Sequence, residues 1–216
     1  MTQSLSTGTL RVHQVAQDDP LAAPLLAELA LEYSSRYGRT PGEVHASLRE
    51  HPATAFAPPH GVLLVVTRDG EAVAGGAFQR YDAHTAELKR IWTSREHRRE
   101  GLGRFVLEQL EAEIARRGYR RIYLTTGPRQ PEAVGLYLAT GYRALYDPDL
   151  PAEQIGPHPF EKQLPGCRYP DGSELFRAEV APESRRGVPS RPSATADTYP
   201  DQGEELARPE VSGVAP

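Results

Sequence analysis

The stretch Arg98-Arg99-Glu100-Gly101-Leu102-Gly103 decides how this chain folds. Upstream lies the short apolar run of residues 88–93. Downstream, residues 104–117 carry Phe105, Val106, Leu107, Leu110 and Ile114 at helical spacing. A strand that turns through glycines into a helix aims unpaired backbone N–H groups at one spot, and the helix dipole adds positive potential there. Such a spot suits a phosphate. A nucleoside-triphosphate loop would need Gly-Lys-Ser/Thr opening the helix, whereas Arg104-Phe105 follows Gly103. A dinucleotide fingerprint would need a third glycine near Val106 and a parallel sheet. What is left is a pyrophosphate gripped by the backbone of Arg98, Arg99, Glu100, Gly101, Leu102, Gly103 and Arg104. The glycines allow close approach, and Arg95, Arg98, Arg99 and Arg104 supply charge.

Working outward, Leu10-Arg11-Val12-His13-Gln14-Val15 alternates as a strand. Asp18-Asp19-Pro20 caps a helix running through Leu21, Leu25, Leu26, Leu29 and Tyr33 to about Gly38. A second, shorter helix is expected over 41–50 and a loop over 52–61. Residues 62–66 form a continuous apolar run, a strand buried on both faces. Asp69-Gly70 signals a hairpin returning through 72–78. Strand 85–93, the glycine turn and the helix stopped by Gly118 follow. Then come strand 121–126, a helix over 131–140 closed by Gly141, and strands at 142–146 and 160–164. A meander followed by a βαβ unit predicts a mixed α+β sheet.

The chain has 216 residues and a formal net charge of −4, with 38% hydrophobic residues and 20 prolines. Residues 165–216 hold eight of those prolines, six Lys or Arg and nine Asp or Glu, leaving 19 basic against 20 acidic residues before them. The expectation is one domain over 1–164 and a Pro-rich, disordered tail over 165–216, which lacks the apolar content to offset its ordering entropy. The near-neutral domain offers no global field for nucleic acid or an anionic membrane. Arg116-Arg117-Gly118-Tyr119-Arg120-Arg121 reads as a solvated helix end, because no aromatic platform accompanies it. Cys167 stands alone, so no intrachain disulfide forms. His13, His51, His60, His97 and His158 lack metal-ligand spacing, so no metal is expected. The polar start and the lack of an apolar run of about 20 residues suggest a cytoplasmic protein.

Two segments together resemble a known family. Ala86-Glu87-Leu88-Lys89-Arg90-Ile91-Trp92-Thr93 followed by Arg98-x-x-Gly101-x-Gly103 resembles the acyl-CoA-binding core of GNAT-superfamily N-acetyltransferases. Gln130-Pro131-Glu132-Ala133-Val134-Gly135-Leu136-Tyr137-x-x-x-Gly141-Tyr142 resembles their downstream segment, with Gln130 where the family often has Asn. The resemblance implies a twisted, mostly antiparallel sheet with helices on both faces and splayed central strands. It also implies acetyl-CoA as acyl donor, its pantetheine lying along Ile91, Trp92 and Thr93 like an added strand, with Gln130 near it. An N–H on that strand would polarise the thioester carbonyl.

Within that resemblance, Glu87 is the candidate base, acting through a water. Tyr137 is the candidate acid, its phenol hydrogen-bonding the leaving sulfur. Cys167 is a poor nucleophile by position, which favours direct attack in a ternary complex. Tyr33, Arg36, Tyr37, Tyr81 and His84 are candidates for the acceptor site. The acceptor is read as an amine of a small molecule or protein. Two alternatives stay open: transfer of a longer acyl group, and a catalytically silent acyl-CoA-binding module with a partner-binding tail.

Overall fold

A computed structural model describes residues 8–164; the tail expected over 165–216 lies outside the described residues. Strand β1 (Leu10–Gln14) leads to a 3-10 turn at Pro20–Ala22, capped by Asp19, whose carboxylate accepts the Leu21 N–H at 2.8 Å. Helix α1 (Ala23–Tyr37) therefore starts two residues later than the apolar spacing predicts. Pro24 has no N–H and is tolerated only in a first turn, which fixes the α-helical start there. The helix stops at Gly38, where φ is 72°. Thr40 opens α2 (Pro41–Glu50) with a reciprocal cap, its hydroxyl accepting the Glu43 N–H and its own N–H donating to the Glu43 carboxylate.

Strands β2 (Val62–Arg68) and β3 (Glu71–Arg80) are joined by Asp69-Gly70, both at positive φ, as a tight two-residue hairpin turn requires. The chain continues through β4 (Thr85–Thr93), α3 (Leu102–Arg116), β5 (Arg121–Thr126) and α4 (Pro131–Ala139). It closes with β6 (Arg143–Ala144), α5 (Ala152–Ile155) and β7 (His158–Gln163). The strand expected over 142–146 shrinks to two residues. Tyr142 instead packs edge-on to Tyr137 and donates its hydroxyl to Glu111 at 3.0 Å. The last strand begins two residues earlier than expected. A 3-10 turn at Ala53–Phe56 and the short α5 carry no periodic signal and have no counterpart in the sequence reading.

The seven strands form one sheet in the order β1-β2-β3-β4-β5-β7-β6, antiparallel throughout except for the β4–β5 pair. Strand β2 feeds both cores by its two-residue period. Leu63 and Val65 join Leu25, Leu26, Leu29, Val44 and Leu48 of α1 and α2 on one face. Val62, Leu64 and Val66 join Val106, Leu107, Leu110 and Ile114 of α3 on the other.

Beyond the point where β4 meets β5, the sheet opens. The two strands pair only at Thr85–Arg121, Ala86–Ile122 and Glu87–Tyr123, although β4 runs on to Thr93 and β5 to Thr126. Strand β4 is bulged at the same place. Between the Ala77–Lys89 and Gly75–Trp92 pairs, Arg90 and Ile91 oppose the single residue Gly76, and Arg90 takes a φ of 59°. Gly76 has to be small. A Cβ there would lie 2.7 Å from Ile91 Cδ1 and 2.9 Å from Leu110 Cδ1.

Candidate active site

The opening between β4 and β5 continues into a cavity of about 790 Å³. One end is the glycine turn. Gly101 caps α3 with a φ of 82° and no side-chain cap, and the first intrahelical bond runs from the Phe105 N–H to the Gly101 carbonyl at 3.1 Å. The N–H groups of Leu102, Gly103 and Arg104 precede that bond and are left without intrahelical partners. Arg99, at a φ of 68°, lines the same end and makes no hydrogen bond or ion pair among the described residues. Arg98 reaches across to Glu32 on α1 at 2.6 Å, and Arg104 donates to the Ala139 carbonyl at 3.2 Å. Glu100 is not part of the wall. It pairs with Arg68 at 2.6 Å, and that hydrogen bond holds its carboxyl below the usual carboxylate range.

The middle of the cavity is the separated strand pair, Leu88 to Thr93 on one side and Thr125 and Thr126 on the other, so backbone lines it. Ile91, Trp92 and Thr93 all border it. Trp92 is anchored beneath by its indole N–H donating to Glu28 at 3.1 Å. Helix α4 forms the far wall with Gln130, Glu132, Ala133, Leu136 and Tyr137. The carbonyl oxygen of Gln130 is engaged locally, accepting from the Thr126 hydroxyl at 2.7 Å and the Gly127 N–H at 3.1 Å.

Tyr137 is buried against Tyr142 and Phe160, and burial pushes its phenol well above its ordinary pKa. Its hydroxyl makes no hydrogen bond among the described residues, yet it is not sealed from the cavity. Glu87 is absent from the wall. It sits at the last β4–β5 pair, one side chain behind the cavity, accepting from Gln79 Nε2 at 2.9 Å and pairing with Lys89 Nζ at 3.1 Å. Lys89 does line the cavity.

The opposite end is built by α1 and α2, with Tyr33, Arg36, Tyr37, Arg39, Val44, Ser47 and Leu48. Arg36 bridges the mouth, bonding Glu132 and the Arg129 carbonyl, while Arg129 donates back to the Arg36 carbonyl at 2.7 Å. Burial raises the Glu132 carboxyl, but the Arg36 hydrogen bond, a backbone N–H and the charges of Arg36 and Arg98 together outweigh it and hold the group low. Tyr81 and His84 are elsewhere: Tyr81 packs on Tyr123, and the His84 N–H bonds Asp82 in the loop before β4. Among the described residues no group of three or more His, Cys, Asp or Glu is placed to hold a metal. No helix among them is long and apolar enough to cross a membrane.

Sequence reasoning missed Arg39, Ser47, Glu32 and Lys89. Lys89 carried a signal, since residues two apart on a strand share a face and Glu87 is two before it. Glu32 and Arg36 are four apart on α1 and pair at 3.4 Å, a spacing legible on any helix. Arg39 and Ser47 show no pattern; the turn at Gly38 alone brings α2 over the cavity.

The profile of the acetyltransferase (GNAT) family matches residues 24–142, more than half of the chain. The chain belongs to that family. It is 25% identical to a putative acyl-CoA N-acyltransferase from Klebsiella pneumoniae, with a TM-score of 0.54 over 72% of this chain and 98% of that one. The PaiA N-acetyltransferase of Thermoplasma acidophilum, solved with coenzyme A, shares the fold at a TM-score of 0.57 and 14% identity, over 72% of this chain and 99% of that one. Among curated proteins, an uncharacterized N-acetyltransferase of Bacillus subtilis, YsnE, is 38% identical over 60 residues, covering 27% of this chain and 40% of its own length. The matched segments span less than half the length of the curated relatives.

Proposed function

We propose that the chain transfers an acetyl group from acetyl-CoA to an amine by direct attack. The observation that carries this reading is the continuity of two features. The N–H groups opening α3 end on the same cavity whose walls are the separated β4 and β5. The residues suit coenzyme A. Leu102, Gly103 and Arg104 N–H groups with Arg99 and Arg98 would hold the pyrophosphate, and the β4 backbone from Ile91 to Thr93 would hold the pantetheine arm. When bound, acetyl-CoA supplies the activated acyl group as a thioester.

Every other part falls to the chain. A β4 backbone N–H would polarise the acyl carbonyl from a fixed place on the strand. The amine nitrogen bonds the acyl carbon as the carbon–sulfur bond breaks. An ammonium acceptor gives up two protons as its nitrogen becomes an amide and one proton reaches sulfur, so the transfer releases one proton overall. Glu87 receives the first through water entering past Lys89. Tyr137, kept protonated by burial, donates toward the sulfur as charge develops there.

Calorimetric titration with acetyl-CoA tests the donor site. Gly101→Val forces a branched side chain into positive φ at the turn, and Arg99→Ala removes a cation without breaking a hydrogen bond or ion pair among the described residues. Both are expected to weaken binding, roughly tenfold or more for Arg99→Ala. Unchanged affinity in both would remove the cofactor site. Tight binding with no thiol release across a broad amine panel would instead point to a silent acyl-CoA-binding module.

A further inference from the structure

We propose that the acceptor is a small amine that also carries an anionic group, a carboxylate or phosphate, and that Arg39 seats that anion. This rests on reading the cleft as an acyl-transfer site. The charge at the α1–α2 end is committed on the acidic side. The two carboxylates of the lining are Glu32, which takes Arg98 at 2.6 Å and Arg36 at 3.4 Å, and Glu132, which takes Arg36. Glu87, behind the wall, is held by Lys89 and Gln79. A plain alkylamine, cationic before transfer, therefore meets no open carboxylate on this wall.

On the basic side of this end one guanidinium is bound directly by no carboxylate. Arg39 lines the same end, is half-buried, and makes no hydrogen bond or ion pair among the described residues; the carboxylate that feels its charge, Glu43 of α2, is bonded by the Thr40 cap instead. Its backbone is pinned on both sides, by the left-handed stop at Gly38 and by the Thr40 cap of α2. The point from which the guanidinium reaches out is therefore fixed at the cavity rim. Its planar fork of donors matches carboxylate and phosphate oxygens, and partial burial strengthens the attraction to an anion. The Ser47 hydroxyl lines the same end as a further polar group. An amine linked to an anion is thus drawn to one rim while its nitrogen faces the strands where acyl transfer takes place. A lysine in a basic peptide is repelled.

The test compares matched pairs on the full chain with acetyl-CoA. Each common α-amino acid is set against its carboxamide, and O-phosphoethanolamine against ethanolamine, with thiol release as readout. The anionic member is expected to show a kcat/KM about tenfold higher, and the series that shows it identifies carboxylate or phosphate. Arg39→Gln should erase the difference, raising KM for the anionic member by more than it lowers kcat, and Arg39→Lys should restore part of it. Calorimetric titration of the same pairs into protein, with and without coenzyme A, reads the same ordering without turnover. If acetyl-CoA fails to bind, the transferase reading falls, while the ordering of the pairs still decides the anion seat. Equal response of both members of every pair, including none from either, overturns the proposal. So does a preference that survives in Arg39→Gln, or an acidic peptide preferred over both small series.

Discussion

Tyr137 occupies an unusual position for a buried phenol: its ring is packed between Tyr142 and Phe160, and its hydroxyl has no partner among the described residues. Packing explains the ring but not the oxygen. If the oxygen serves the leaving sulfur, Tyr137→Phe should lower kcat by about a hundredfold, with acetyl-CoA affinity and melting temperature little changed. Equal turnover would leave the residue a packing tyrosine. This position was legible in the sequence because the downstream segment keeps register from Pro131 to Gly141. The acceptor end was less so. Tyr33, Arg36 and Tyr37 lie on one helix and reach the cavity together, whereas Tyr81 and His84, close to β4 in sequence, are carried away by the turn at Asp82. Proximity along a chain does not survive a turn.

At the level of elements, the decisive object is the β3–β4 ladder. Gly76 faces Arg90 and Ile91 and lies beneath the Leu110 and Val106 side chains of α3. Gly76→Val should cost about 1–3 kcal/mol by overpacking and weaken acetyl-CoA binding in step with the displaced bulge. A chemical-denaturation midpoint and a calorimetric affinity would move together. A second element-level prediction concerns the end of α3. Glu113 is raised by burial but more strongly lowered by hydrogen bonds from Arg116 and Arg117, and Arg117 in turn donates to the Gly61 carbonyl at 2.7 Å. A depressed carboxyl contributes stability that is present above its unfolded pKa, near 4.5, and is lost as pH falls through the folded value. Glu113→Gln should therefore destabilise the protein at neutral pH and narrow its loss of stability below about pH 4.5. Parallel pH curves for the two proteins would contradict this. The existence of these elements was readable from periodicity, but the bulge was not. Residues 85–93 spell an ordinary strand, and only the opposing glycines mark where it departs.

For the whole molecule, the sheet order and the two cores follow from the alternation in β2 and the helical spacing in α1 and α3, which is why the architecture was the most legible level. The separation of β4 from β5 came from resemblance alone, since no local pattern encodes which strands part. Among the described residues, both cores are filled by side chains between Leu10 and Leu164. Truncation after Leu164 should accordingly leave the melting temperature within about 1 °C of the full chain, under the roughly 2–4 °C that 1 kcal/mol would produce at this size. A larger drop would make the segment beyond it part of the folded unit.

The bulge at Arg90 has one more consequence. Leu88 and Ile91 face the α3 core, while Lys89, Arg90 and Trp92 face the α1–α2 side. Removing residue 90 would leave a strict alternation from Glu87 to Trp92 with every core side chain on its present side. A strand one residue shorter would thus serve the hydrophobic interior equally well. The supernumerary residue bends the main chain, and its buried guanidinium, lying over Phe56 and donating to Gln17 and the Leu48 carbonyl, ties that bend to the α1–α2 side. The bend that admits a ligand and the seam between α1 and α2 thus hang on one side chain.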